Sequence, residues 1–216
     1  MARPTDTPAA AGRRSWQLPT LPLPIVIAFT AVLLAVAVYS WVQAHGSGRF
    51  RLAPYKGEQA AEFTLRDADG GLRSLGDFRG KVVVLFFGYT RCPEACPAEL
   101  FKLSQVMQQL GARRRDVQVL MVTLDPEHDS AALLQEYVRA FDPAFIGLTG
   151  SAAQIQRAAA AYDVLFRRVR IADTYTISHS TMVYVIDQRG RQRLAGNVNT
   201  SVADFVHDLR LLADES

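Results

Sequence analysis

Cys92 and Cys96 are the only cysteines in the 216-residue chain, and they stand four residues apart in Gly88-Tyr89-Thr90-Arg91-Cys92-Pro93-Glu94-Ala95-Cys96-Pro97. Side chains four apart on one helical turn share a face, with about 5–6 Å between their Cβ atoms. In a relaxed loop the two thiols can close to a disulfide, or as thiolates they can grip one metal ion. A helix N-terminus beside them favours negative charge and lowers thiol pKa. The plain alternative is a pair of small packed hydrophobes. Against it, Pro93 and Pro97 flank the pair and fix geometry rather than fill volume. Soft thiolates suit Cu(I) and zinc alike, so a third ligand is needed to decide.

Four histidines are available for that role. His45 lies in a linker and His207 on the polar side of the last predicted helix, and both read as solvated. His128 follows Asp125-Pro126-Glu127 in a loop after a predicted strand and is a minor candidate. His179 sits in Thr176-Ile177-Ser178-His179-Ser180-Thr181, just before a predicted buried strand.

The elements that must position these groups alternate strand and helix. Phe63 to Leu65 reads as a short strand and Asp67 to Gly71 as a turn. The apolar run between Lys81 and Phe87 predicts a strand buried on both faces. A helix is expected after Pro97, with Leu100, Leu103, Met107 and Leu110 on one stripe and Gly111 ending it. Val117 to Leu124 predicts a second buried strand. Asp129 or Ser130 caps a helix with Leu133, Leu134, Tyr137, Val138 and Phe141 facing inward. Phe145 to Leu148 is a third strand, and Ser151 to Gln154 a capping box for a helix running to about Tyr162. Thr181 to Ile186 is a strand, Asp187 to Gly190 a turn, and Arg193 to Gly196 its hairpin partner. Ser201 caps a last helix with Val202, Phe205, Val206 and Leu209 inward.

This alternation predicts a three-layer α/β domain with a mostly parallel central sheet, to which the terminal hairpin adds antiparallel strands. The cysteines fall where a buried strand ends and a helix begins, the end at which such sheets gather ligands. In a thioredoxin-like topology the loop carrying His179 packs against the cysteine loop. A Cys₂His set with an open side fits a copper site that must also release its ion.

Leu21 to Val42 carries no charge. About 20 apolar residues cross a hydrocarbon core about 30 Å thick. Pro22 and Pro24 at its start are tolerated where helix amides lack partners, and Trp16, Tyr39 and Trp41 suit membrane interfaces. A cleaved signal peptide is the rival reading, with Val42-Gln43-Ala44 as cleavage site, but the run exceeds the usual length. Arg3, Arg13 and Arg14 before it are nearly balanced by Arg49, Arg51 and Lys56 after it, so charge does not set orientation. The organisation expected is a tail over 1–20, an anchor over 21–42, a linker over 43–57 and a folded domain over 58–216. Hydrophobic residues make up 49% of the chain, enough for a core in one domain. The net charge of +3 comes from scattered residues, among which Lys56, Lys81 and Lys102 are the only lysines. No aromatic residues interleave with them as in a single-strand binding groove, which argues against nucleic acid.

Phe87 to Pro97 resembles the FGYTxCPxxCP signature of the Sco/SenC family of copper chaperones. Val122 to Asp129 is similar to that family's DPxxD segment. Phe141-Asp142-Pro143 and Ile146 to Gly150 resemble its following loop, and His179 ahead of Met182 to Asp187 resembles its histidine. The resemblance covers roughly residues 58 to 210. It implies an α/β, thioredoxin-like domain with a mixed central sheet flanked by helices, preceded by one N-terminal transmembrane helix. It also implies copper held by Cys92, Cys96 and His179, and a role in building the binuclear CuA centre of cytochrome c oxidase subunit II. A copper donor or thiol reductant would be a further partner. The family's soluble domain faces the periplasm or the mitochondrial intermembrane space. No Arg/Ser-rich transit peptide precedes the apolar run, so a bacterial inner membrane and its periplasm are expected.

Two departures stand out. Ser178 occupies a place where many members carry Asp, which bears on how the imidazole is oriented. Arg91 directly precedes Cys92, where a cation favours thiolate. The expected role is binding and delivery, not an enzyme. The runner-up is a thiol–disulfide reductase acting through a Cys92–Cys96 couple. Against it, thioredoxins use CxxC facing a cis-proline, and no proline lies between Asp163 and Asp187. A peroxidase of the peroxiredoxin type needs threonine three before its cysteine, whereas Thr90 is two before Cys92.

Overall fold

A computed structural model describes residues 22–46 and 50–215, and the chain divides into two compact units, 1–46 and 47–216. The predicted tail with Arg3, Arg13, Arg14 and Trp16, the first anchor residue Leu21 and Arg49 lie outside the described residues. The first unit contains one helix, α1 (Leu23–Gly46), which takes in most of the uncharged run. Its described side chains, positions 24 to 40, are exposed. Among the described residues no helix is long and apolar enough to cross a membrane.

The second unit begins earlier than expected. Part of the stretch read as linker forms an edge strand, β1 (Ala53–Pro54), antiparallel to Ala195 and Leu194. Pro54 is tolerated there because an edge strand does not need every amide. Leu52 is buried, and the Asp208 carboxylate accepts the backbone N–H groups of Arg51 and Leu52. A hairpin follows, β2 (Thr64–Arg66) and β3 (Leu72–Ser74). Then come β4 (Val82–Gly88), α2 (Ala95–Leu110), β5 (Val117–Thr123), α3 (Ala131–Arg139) and β6 (Ile146–Leu148). After α4 (Ala152–Ala161) the chain forms a hairpin of β7 (Phe166–Ile171) and β8 (Thr174–His179). It closes with β9 (Val183–Ile186), β10 (Gln192–Gly196) and α5 (Val202–Ala213).

The main sheet has the order β1-β10-β9-β4-β5-β6. Only β4/β5 and β5/β6 pair in parallel, while β9 is antiparallel to both β4 and β10. The sheet is therefore mixed rather than mostly parallel. The reason is that β9 enters from the opposite end, after the β7–β8 hairpin has reversed the chain, and the Asp187–Gly190 turn reverses it again. Every residue of β4 and β5 is buried, β4 as an unbroken apolar run and β5 with Gln118 and Thr123 among its apolar residues, their polar atoms bonded to the Ala144 carbonyl and Asp129. A Cβ on Gly88 would meet Cys96 Sγ and Met121 Cε, and a Cβ on Gly147 would meet Leu134. Met121 and Gly147 are register partners, so α2 and α3 share one face of the sheet. Phe87, pointing the other way, packs against Tyr162 at the end of α4 and Tyr184 of β9.

Most predicted elements appear within a few residues of their expected places. Ser130, not Asp129, caps α3, accepting from Leu133 N. Leu133, expected inward, is exposed, because Leu134 and Val138 already fill the contact with the sheet. The capping box at Ser151 and the cap at Ser201 are present. The strand expected from Thr181 begins at Val183, and the β7–β8 hairpin before it was not anticipated. Its residues are largely exposed and charged or polar, so they lack the apolar pattern by which strands are read from sequence.

Candidate metal centre

The site is built where β4 runs out. Gly88 is needed there, since any side chain would come within 2.9 Å of Cys96 Sγ and 2.8 Å of the Phe86 ring. The chain then turns, Cys92 N–H donating to the Tyr89 carbonyl at 3.2 Å, and α2 starts at Ala95. Pro97 sits inside the first turn of the helix rather than ahead of it, at a position whose amide has no helical partner. Cys96 is fully buried and Cys92 half-buried, both as free thiols.

The two thiols are inequivalent. Cys92 Sγ lies over the first turn of α2 and accepts the Cys96 N–H at 3.3 Å. A hydrogen bond from the Cys96 thiol, helped by His179 and the Cys96 and Glu94 amides, lowers the Cys92 pKa to about 4 despite burial. The same pairing, together with burial, pushes Cys96 in the opposite direction, so its proton is held. One proton is thus shared unequally: a thiolate at the half-buried position and a thiol beneath it.

His179 completes the group. Its Nε2 is 3.7 Å from Cys96 Sγ, and the donor atoms of Cys92, Cys96 and His179 all lie within 4.8 Å of one another. Its Nδ1 is 2.8 Å from the Ser180 carbonyl oxygen, which can only accept, so Nδ1 carries a proton and the ring is held with Nε2 toward the thiols, where it can donate to the Cys92 thiolate or, without its proton, offer a lone pair to a metal. Ser178 is exposed and opposite Arg167 in the hairpin, and it takes no part in orienting the ring. His179 is the last residue of β8 rather than part of a loop, opposite Phe166. The other histidines stay apart: His128 is exposed in its turn, His207 pairs with Asp208 at 2.7 Å, and the His45 side chain lies outside the described residues.

Two buried aspartates hold this arrangement. Asp129 accepts from Thr90 N–H at 3.0 Å, from the Thr90 hydroxyl and from the Thr123 hydroxyl at 2.6 Å, which ties the cysteine loop to β5. Asp125, fully buried, accepts from Tyr175 OH at 2.8 Å, Arg91 Nη2 at 3.0 Å and Arg168 Nη2 at 3.2 Å. The guanidinium groups of Arg91 and Arg168 stack on the Tyr175 ring at 4.3 and 4.2 Å. Arg91 was expected to acidify Cys92, but its charge is spent on Asp125 and Tyr175. Tyr89, buried behind the cysteines, accepts the Ile177 N–H, shares a 2.8 Å hydrogen bond with Thr176 and meets the His179 ring edge-on. Sequence reasoning named none of Tyr89, Asp129, Arg168 and Tyr175 as site residues. The available signal was the pair of acids placed just after a strand buried on both faces.

Two thiol sulfurs and one imidazole nitrogen, converging from half-buried positions, can hold a soft metal ion with three ligands and one side open. The unequal thiols can equally attack a disulfide, Cys92 as nucleophile and Cys96 as the resolving group.

A family model described as SCO1/SenC matches residues 53–214. The mitochondrial protein SCO2 homolog of Bos taurus is 40% identical over 152 residues, 65% of this chain and 57% of that protein. An SCO2-like protein of Rickettsia felis is 33% identical over 133 residues, 60% of this chain and 65% of its own length. The match thus spans less than two thirds of these curated relatives. Among solved structures, copper-bound ScoI of Bradyrhizobium japonicum superposes with a TM-score of 0.67 at 32% identity, covering 71% of this chain and 99% of that one. Apo Sco1 of Thermus thermophilus does so with a TM-score of 0.69 at 32% identity, covering 76% and 96%.

Proposed function

Because this chain belongs to the SCO1/SenC family, we propose that it is a copper chaperone, binding one copper ion through Cys92, Cys96 and His179. The observation that carries this is the convergence of those three donor atoms within 4.8 Å. The copper-bound state of similar proteins supports it. The ion is cargo here. Three soft and borderline ligands suit Cu(I), and the open side admits an incoming ligand from an acceptor. Cys92, half-buried and already a thiolate, is the ligand an acceptor thiol can displace first, while Cys96 stays buried. The acceptor proposed is the CuA site of cytochrome c oxidase subunit II, as the family resemblance implies.

Copper binding requires the dithiol, because a disulfide sulfur has lost the thiolate charge that the metal needs. Reduced protein should bind one copper per chain and disulfide-bonded protein almost none. Equal uptake by the two forms, measured by metal analysis after desalting, would sink the assignment. A thiol–disulfide reductase remains the second reading, favoured by the acidified Cys92 lying over a protonated Cys96. The two roles share the same thiols and separate at His179.

We further propose that residues 21 to 42, most of them within α1, anchor the chain in a bacterial inner membrane, with the second unit in the periplasm. The uncharged 22-residue run supports this. A reporter active only in the periplasm, fused after Ser216, should be active, and activity of a cytoplasm-specific reporter there would contradict it.

A further inference from the structure

The β7–β8 hairpin is a two-stranded sheet, and its register fixes which way each backbone group points. The Ser180 N–H donates to the Leu165 carbonyl at 3.0 Å, so these two residues face each other as a hydrogen-bonded pair. Along the register, Arg167 with Ser178, Val169 with Thr176 and Ile171 with Thr174 are pairs of the same kind. Phe166, Arg168 and Arg170 alternate with them, so their N–H and C=O groups point away from β8. On β8 the corresponding groups look toward the domain, where the Ile177 N–H reaches the Tyr89 hydroxyl at 3.3 Å. Those of β7 have no such partner among the described residues, and Arg168 and Arg170 are exposed. A row of unpaired backbone groups is a template for another strand.

Two features of this edge indicate what it takes. Phe166 and Arg168 line a cavity of about 120 Å³ together with Leu124, Pro126, Ile155 and Ile177. A strand added to β7 sends every second side chain to that face, so one apolar side chain of it can enter. The other feature is charge. Arg168 is bound to Asp125 and Glu127, whereas Arg167 and Arg170 are exposed and paired with no carboxylate among the described residues, Asp173 of the turn included. A second copy added at β7 would set arginines against arginines. The tail over 1–20, with Arg3, Arg13 and Arg14 against Asp6, meets the same repulsion. Acidic side chains in those places are attracted instead.

We propose that β7 is a docking edge, on which an extended acidic segment of a partner protein, carrying one apolar side chain, adds as a third strand of the hairpin. The partner is the protein that exchanges copper at the site, and in this respect the proposal rests on the copper reading above. The edge leads to the site itself, since Phe166 is the register partner of His179. Backbone hydrogen bonds supply the affinity, while the cavity and the two unpaired arginines select the segment.

The test uses the full reduced chain and a capped heptapeptide with leucine at its centre and glutamates on both faces. Amide hydrogen exchange is followed by NMR. The Phe166, Arg168 and Arg170 amides should exchange fast in the free chain and slowly with the peptide bound. The same peptide with lysine in place of glutamate should bind about tenfold more weakly. Arg170→Gln removes a charge alone, whereas Arg170→Pro also removes an N–H from the open edge without touching the ladder to β8. Arg170→Pro should therefore lose more peptide binding than Arg170→Gln, and both should take up Cu(I) as the wild type does. Should Arg170→Pro disturb the hairpin, exchange in the wild type decides. Unchanged exchange at the three amides with millimolar peptide would overturn the proposal, and so would equal binding of the lysine peptide. Slow exchange there in the free chain, rising with protein concentration or lost when residues 1–20 are removed, would give the edge to a second copy or to the tail and overturn it too. Cu(I) uptake is measured in the same samples. Copper uptake without peptide binding sinks the docking edge alone, and peptide binding without copper uptake sinks the copper reading while strand addition stands.

Discussion

The cysteine loop and the β7–β8 hairpin bring candidate ligands to one point by different physical means. The loop is an extension of the core: β4 is buried throughout, Gly88 makes room for Cys96, and α2 holds both sulfurs at its first turn. The hairpin pairs with no strand of the main sheet, and most of its residues are exposed. It is held by polar contacts, the Tyr175–Asp125–arginine cluster and the Tyr89 hydroxyl, with Ile177 as its buried apolar residue. Apolar burial fixes two of the candidate ligands, and a charged clamp places the third. Regions with few buried contacts open at lower free energy than core elements, so the His179 arm should open more readily than the cysteine loop.

The largest effects should come from the core side of this comparison. Cys92→Ser or Cys96→Ser should abolish both copper binding and disulfide cycling. His179→Ala should weaken copper binding while the Cys92–Cys96 couple still cycles, since exchange depends on thiolate, access and leaving group. Once folding and disulfide potential are shown near wild type, oxidase assembly at limiting copper separates the two readings. Poor assembly in His179→Ala cells supports delivery, and full assembly with copper binding lost points to the reductase.

Breaking the clamp should be milder. Asp125→Asn removes a buried charge that two arginines and Tyr175 share. The expected destabilisation is about 2–3 kcal/mol by urea denaturation, less than for a fully buried pair because both guanidinium groups remain partly in water. Copper affinity should fall with it, by about tenfold. A variant with weakened stability but wild-type affinity would show that the hairpin does not depend on the clamp to present His179.

The smallest effect concerns thiol acidity across the two regions. Alkylation of Cys92 in the metal-free reduced protein should slow as pH falls through about 4, because protonation removes the reactive thiolate. Above that pH the Cys92 thiolate fraction is already near its maximum. His179→Ala should raise this midpoint, yet leave it far below that of an ordinary thiol, because Cys96 is the larger cause of the lowering. A midpoint restored to the ordinary thiol range would mean that the hairpin, not the loop, sets Cys92 reactivity.

Sequence alone determined the parts that apolar pattern and local chemistry encode. The continuous run of β4, the mainly apolar β5, the stripe on α2 and the caps at Ser151 and Ser201 are legible because each depends on residues close in the chain. The spacing of Cys92 and Cys96 is of the same kind, since a loop and one helical turn bring them together. His179 was singled out by the thioredoxin-like topology and the family resemblance, and its contact with Cys96 spans more than eighty residues. Only the tertiary structure decided that the β7–β8 hairpin exists, that three of the five pairings in the main sheet are antiparallel, and that Arg91 serves Asp125 rather than Cys92. It alone showed the Ser180 carbonyl setting the His179 tautomer while Ser178 faces away. These features turn on hydrogen bonds and charges that find partners across the fold. Such pairings leave no periodic mark in a sequence, because a polar residue on an exposed hairpin reads the same whether or not a buried carboxylate waits beneath it.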